Sequence, residues 1–107
     1  MSVVVVVIVE SPKAAAPLEL TFKPDETIGI GRDGTSLVQL PEASVSLRHA
    51  RLSPSAGGYV LIDENSTNGT FLNAVRVLPE TAKPVADGDR IQVGRALLRV
   101  RFRAPSS

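Results

Sequence analysis

The sequence contains no cysteine, which rules out a disulfide framework and a thiolate zinc site and is compatible with a reducing compartment. Its single histidine, His49, is too little for a histidine-built metal centre, so no metal or other cofactor is expected. Tryptophan is absent, and the only aromatics, Phe22, Tyr59, Phe71 and Phe102, are scattered instead of interleaved with basic residues. Base stacking along a cationic groove has little to stand on, and no nucleic-acid partner is expected. Charge of one sign is scarce too: 12 Lys and Arg against 11 Asp and Glu leave +1, too weak a field to draw in nucleic acid or an anionic membrane. Any anion site must therefore be local. The longest apolar run, Val3 to Val9, falls far short of the roughly 20 residues of a membrane-spanning helix, and it lacks the basic flank and cleavage site of a signal peptide. No window holds a 3.6-residue apolar period. These absences lead to the expectation of a soluble cytoplasmic protein without membrane contact and with little or no helix.

What is present favours strands. The 107 residues suit one domain, and 43% apolar against 21% charged residues argues for a folded core. We place a single domain at 1–103 and a loose tail at 104–107. Val3 to Val9 is β-branched throughout and reads as a first strand buried on both faces. Short runs follow at Leu18 to Phe22, Thr27 to Ile30, Leu37 to Leu40, Ala50 to Leu52 and Tyr59 to Ile62. Four more lie at Thr70 to Leu72, Val75 to Val77, Arg90 to Val93 and Ala96 to Phe102. Turn signals separate them, among them Ser11-Pro12, Lys23-Pro24-Asp25, Ser53-Pro54, Gly57-Gly58, Asn68-Gly69 and Asp87-Gly88. Short strands at this spacing read as an antiparallel sandwich or barrel.

Three loop segments carry polar chemistry. In Gly31-Arg32, after a strand end, the guanidinium fork suits bidentate contact with phosphate or carboxylate, although a lone arginine there is also an ordinary surface residue. Ser46-Leu47-Arg48-His49 invites a hydrolase reading with Ser46 as nucleophile and His49 as base. Against it stand the missing Gly-x-Ser-x-Gly elbow and the lack of an acid to orient the ring, so the plainer reading is that His49 ties loop backbone together. In Asp63 to Phe71, Asn68-Gly69 supplies the positive torsions of a tight turn. The stretch Asn65 to Thr70 gathers hydroxyls, amides and small-residue N–H groups that suit an anion or an extended peptide.

Taken in order, Ile30-Gly31-Arg32, Val45 to Ala50, Asn65 to Asn73 and Asp87 to Gly94 resemble the forkhead-associated (FHA) family over about residues 18 to 102. The resemblance implies an all-β, antiparallel β-sandwich of about eleven short strands, a monomer without catalytic residues, whose loops at one end hold a phosphothreonine-containing partner protein. It implies that Arg32 clamps the phosphate, that Ser46 and the Leu47 N–H bond to it, and that Thr67 contacts it from the opposite loop. Asn68 would bond the peptide main chain, His49 would fix the loops, and Gly31 and Gly69 would give backbone room. FHA domains appear among the Arg-cluster readers of phosphorylated motifs.

The chain departs from the family pattern in three places. Leu47 stands where a polar or basic residue often helps grip phosphate. The hairpin after Phe71-Leu72 runs Asn73-Ala74 instead of Asn-Gly, so positive torsion at Ala74 would cost about 1 kcal/mol and another turn type is open to it. Ser44 occupies a position where some relatives carry a basic residue, which removes support for an acidic preference in the peptide. A scaffold that keeps the fold and binds partners without phosphate is the alternative, and the joint presence of Arg32, Ser46 and Thr67 argues against it.

Overall fold

The computed structural model describes residues 4–10 and 18–103, so Val3, the turn signal at Ser11-Pro12 and the expected tail at 104–107 lie outside it. Its eleven strands are β1 (Val4–Val9), β2 (Leu18–Phe22), β3 (Ile28–Gly31), β4 (Val38–Gln39), β5 (Ala50–Ser55), β6 (Gly58–Asp63), β7 (Thr70–Leu72), β8 (Val75–Val77), β9 (Lys83–Val85), β10 (Arg90–Val93) and β11 (Ala96–Arg103). They form a six-stranded sheet, in order β2-β1-β11-β10-β7-β8, and a five-stranded sheet, in order β4-β3-β5-β6-β9. There is no helix among the described residues.

Alternation explains the core. Val5, Val7 and Val9 of β1 stand opposite Phe102, Val100 and Leu98 of β11, and all of these face the second sheet. From that second sheet Ile28, Ile30, Leu52 and Leu61 complete the same cluster and are fully buried. Burying each such side chain contributes about 1.5–3 kcal/mol, so the two inner faces supply the main driving force for folding. On the outer side of β1, Val6 lies between Thr21 and Arg101 and is only 2% exposed, whereas Val4 and Ile8 are half-buried. The expectation of burial on both faces therefore holds at the centre of the strand and relaxes towards its ends.

Three details differ from the sequence reading, and a fourth decides between turns that it left open. The β3–β4 pair is parallel, with Ile30 beside Val38, so the five-stranded sheet is mixed. Ser53-Pro54 does not turn the chain but extends β5 through Ser55; β3 accompanies β5 only as far as Leu52, so Pro54 lies on a stretch with a free side, where a missing N–H costs no ladder bond. Strand β9 carries no apolar run and contains Pro84, which is tolerated because β9 is the sheet edge. Finally, the β7–β8 hairpin keeps the two-residue turn with both torsions positive, Asn73 at φ 49° and Ala74 at φ 70°. Asn73 is well suited to this, since its side chain accepts from the Arg90 N–H at 3.0 Å and donates to Asp89 at 3.1 Å. Ala74 is not, because its Cβ crowds the following carbonyl. Ala74→Gly is expected to raise stability by about 1 kcal/mol, read as a higher urea midpoint at unchanged slope. An unchanged or lower midpoint would show that the turn carries no strain.

Candidate functional site

Three loops meet at one end of the sandwich: the connection after β3, the connection from β4 to β5, and the crossing from β6 to β7 that passes between the sheets. A fourth, the β10–β11 hairpin, abuts them through Gly94 and Arg95. Specific bonds join the loops to one another.

The first join is steric. A Cβ on Gly31 would sit 2.1 Å from the Leu47 carbonyl oxygen, so only glycine lets the two loops approach this closely. Because they do, the Arg32 N–H donates to Ser46 O at 3.0 Å, and the Asp33 N–H to Leu47 O at 3.1 Å. Arg32 then folds back so that its Nε donates to Val45 O at 3.0 Å. That bond fixes the base of the guanidinium and leaves both terminal nitrogens open, and Arg32 is exposed and in no ion pair among the described residues.

The second join is His49, fully buried. The Ser46 N–H donates to its Nδ1 at 3.0 Å, so that nitrogen carries no proton. Nε2 is then protonated and donates to Gly69 O at 2.8 Å. Both ring nitrogens are spent on backbone from two different loops. This defeats the nucleophile-and-base reading, since the ring has no free nitrogen for a hydroxyl. Ser46 Oγ instead accepts the Thr67 N–H at 3.0 Å, which leaves its own hydrogen free to donate outward.

The third join is Asp63, whose chemistry the sequence did not reveal. Only 2% exposed, it accepts hydrogen bonds from the Ser66 hydroxyl, from the Thr70 hydroxyl at 2.6 Å and from the Ser66 N–H at 3.2 Å. The Gly69 N–H in turn donates to Ser66 Oγ at 3.0 Å. Burial pushes the Asp63 carboxyl up, but the hydrogen bonds from Ser66 and Thr70 outweigh it and hold the group below its ordinary value of 3.8. Gly69 itself has φ +86°, and an added Cβ would meet the Arg76 side chain only at ordinary contact distance, 3.4 Å. Its need is thus for left-handed torsion rather than for room. Asn68 does not share that torsion; the other positive φ in the loop belongs to Asn65, at 56°.

Thr67 and Asn68 are exposed at the rim, and Asn68 Nδ2 donates to Ser44 O at 2.8 Å, which leaves its carbonyl oxygen outward. The Leu47 side chain is 55% exposed and can offer phosphate nothing, yet its N–H has no acceptor among the described residues. The arrangement as a whole presents the Arg32 guanidinium, the Ser46 hydroxyl, the Leu47 N–H and the Thr67 hydroxyl, all of which can donate to an anion. By contrast, a hollow of about 690 Å³ at the other end of the sandwich is lined by Asp25 and Asp87 and by no lysine or arginine. It is the wrong sign for phosphate. Among the described residues there is no helix long and apolar enough to cross a membrane and no group of 3 or more His, Asp or Glu side chains placed to hold a metal.

A family model for the FHA domain matches residues 28–94, which contain Arg32, Ser46, Leu47, His49, Asp63, Thr67 and Asn68. The chain belongs to the FHA family. It is 36% identical over 90 residues to an FHA domain-containing protein of Arabidopsis thaliana, covering 82% of this chain and 22% of that protein. The chain thus spans a small part of this relative, and 58% of an FHA domain-containing protein of Mycolicibacterium smegmatis at 34% identity. The solution structure of an FHA domain from an Arabidopsis thaliana hypothetical protein superposes with a TM-score of 0.85 at 31% identity, covering 100% of this chain and 91% of that one. A structure described in terms of phosphothreonine-dependent FHA domain interactions superposes with a TM-score of 0.77 at 28% identity, over 97% and 100% of the two chains.

Two outcomes follow for the braces. His49→Ala is expected to leave the Ser46 N–H and the Gly69 carbonyl unpartnered and to cost about 1–3 kcal/mol in a thermal or urea melt. No loss of stability would remove His49 from this role. For Asp63, the folded carboxyl lies below its unfolded value, so its contribution is complete above pH 3.8 and drains away as pH falls from there through the depressed value. Asp63→Asn should flatten that acid limb of the stability profile. A variant that tracks the wild type between pH 5 and 2 would contradict the assignment.

Proposed function

We propose that this domain binds a partner protein through a phosphorylated threonine, as a monomer in the cytoplasm, and recruits that partner without acting on it chemically. FHA domains are non-enzymatic phosphothreonine-peptide-binding modules. The observation that carries the proposal for this chain is the open donor set of Arg32, Ser46, Leu47 and Thr67, held together by bonds that leave both terminal nitrogens of Arg32, the two hydroxyl hydrogens and the Leu47 N–H free.

The chemistry favours a dianion. A phosphorylated side chain brings nearly two negative charges and three acceptor oxygens, which outnumber the acceptors of a carboxylate and match donors arriving from two sides. Arg32 supplies the charge; Ser46, the Leu47 N–H and Thr67 supply direction. Asn68 contributes an outward amide oxygen suited to a main-chain N–H of the peptide beside the phosphothreonine. The preference for threonine over serine comes from the family resemblance. A scaffold that ignores phosphate would have no use for this donor set, and a nucleic-acid groove would need stacked aromatics, which the rim lacks.

A titration of the purified domain against matched peptides is expected to show binding with phosphothreonine, weaker binding with phosphoserine and none without phosphate. Affinity should fall as pH drops through about 6, where the phosphate takes up its second proton. Arg32→Ala should lower affinity about tenfold to over a hundredfold while the melting curve stays in place. Equal affinity for phosphorylated and unmodified peptide would defeat the proposal, and unfolding of Arg32→Ala would make Arg32 a brace instead of a clamp.

A further inference from the structure

Beside Asn68 lies a hollow of about 530 Å³ lined by Glu42, Ala43, Ser44, Asn68, Gly94 and Arg95. Its construction centres on Ser44. The Ser44 carbonyl accepts the Asn68 amide at 2.8 Å, while its hydroxyl oxygen accepts the Arg95 N–H at 2.9 Å. Gly94, at φ +56°, lies so close that a Cβ there would sit 2.4 Å from the Ser44 carbonyl oxygen. One serine therefore holds side by side an amide on the rim of the proposed phosphopeptide site and an arginine brought from 51 residues along the chain.

The more exposed of the two charged groups lining this hollow is the cation. Arg95 is exposed and has no acidic partner among the described residues, whereas Arg51, Arg99, Arg101 and Arg103 each face a carboxylate within 4.0 Å. Glu42, the one acidic group in the lining, is half-buried, with its Oε2 buried and without a hydrogen-bond partner, and it forms no ion pair with Arg95. A peptide running along Asn68 thus meets an exposed guanidinium in no ion pair among the described residues, on a backbone that is locked in place.

We infer that Arg95 is a specificity-determining residue that favours an acidic side chain flanking the phosphothreonine. The inference rests on the phosphothreonine reading above. It also replaces the expectation drawn from Ser44, whose uncharged side chain had removed the support for an acidic preference: here Ser44 positions the cation rather than supplying it.

The test uses phosphothreonine peptides in an otherwise neutral background, with one glutamate placed in turn at each near position on either side of the phosphothreonine. Wild type, Arg95→Ala and Arg95→Glu are titrated by fluorescence polarisation. Wild type should favour glutamate at one position by about two- to fivefold over alanine, as an exposed ion pair allows. Rising salt should erode that advantage. Arg95→Ala should abolish it while binding the neutral peptide as before, and Arg95→Glu should favour lysine at the same position. Melting curves for both variants should match the wild type. A preference for lysine in the wild type would point to Glu42 and overturn the inference, as would an equal loss for every peptide in Arg95→Ala. Wild type that binds no phosphopeptide would remove the proposed function and this inference with it. Wild type that binds but shows no preference dependent on Arg95 would remove the inference alone.

Discussion

The loops at the binding end depend on one buried imidazole. His49 takes the Ser46 N–H on one ring nitrogen and gives a hydrogen to the Gly69 carbonyl with the other. Its own backbone N–H donates to Ile30 O at 2.9 Å, and its carbonyl accepts from Glu64 at 3.0 Å, so the residue is anchored in the five-stranded sheet before it reaches either loop. A neutral ring with one donor and one acceptor is the group this geometry needs, because a doubly protonated ring would set two N–H groups against each other at Ser46. Phosphate recognition elsewhere often uses the N-terminus of a helix, where several N–H groups point one way. No helix exists among the described residues, so donors from separate loops must be aimed at one point by other means. Holding them in advance spares the ordering cost that would otherwise be subtracted from affinity.

Asp63 works in the same direction from inside the β6–β7 crossing. A buried carboxylate is costly unless its oxygens are satisfied, and here two hydroxyls and an N–H satisfy it. The consequence is that Ser66, Thr67, Asn68 and Gly69 cannot move as a free loop. With His49 holding Gly69 from one side and Ser66 holding it from the other, Thr67 and Asn68 are presented outward by constraint of their neighbours. The exposed residues of the site carry little of the fold, and the buried ones carry no contact with solvent.

Much of this was legible in the sequence, for physical reasons that differ by element. The β-branched run of β1 and the polar–apolar alternation of β10 and β11 declare strands because their side chains must face a core at period two. Strand β9 was illegible because an edge strand with Lys83 and Pro84 has one core-facing residue, Val85, and no pattern to show. The ordered motifs located Arg32, Ser46, Thr67 and Asn68, and the structure gathers their loops at one end. What the motifs did not contain were the contacts of Asp63 with Ser66 and Thr70, and of Gly94 and Arg95 with Ser44. Residue types alone cannot announce such contacts. A buried Asp in an acidic-looking loop reads like a solvated one, and a bond between residues 51 apart leaves no trace in local spacing.

The separation of brace from rim has a further consequence for how such a domain can change partners. Ser44, Leu47 and Arg95 lie around the donor set without lying in the core, and Leu47 and Arg95 are exposed. Substitutions at exposed positions away from caps and strained turns usually alter stability by less than about 0.5 kcal/mol. The braces are different in kind: Gly31 admits no side chain against the Leu47 carbonyl, and His49 admits no ring with a different pattern of donors. On the proposed reading, selectivity can therefore be rewritten at the rim while the donor set stays aimed. Ser44 does both jobs, since its carbonyl and hydroxyl hold Asn68 and Arg95 in place. A basic side chain at that position would bring its own charge but give up the hydroxyl that fixes the hairpin, so on the proposed reading a basic residue at 44 and an arginine at 95 are alternative ways to place a cation beside Asn68.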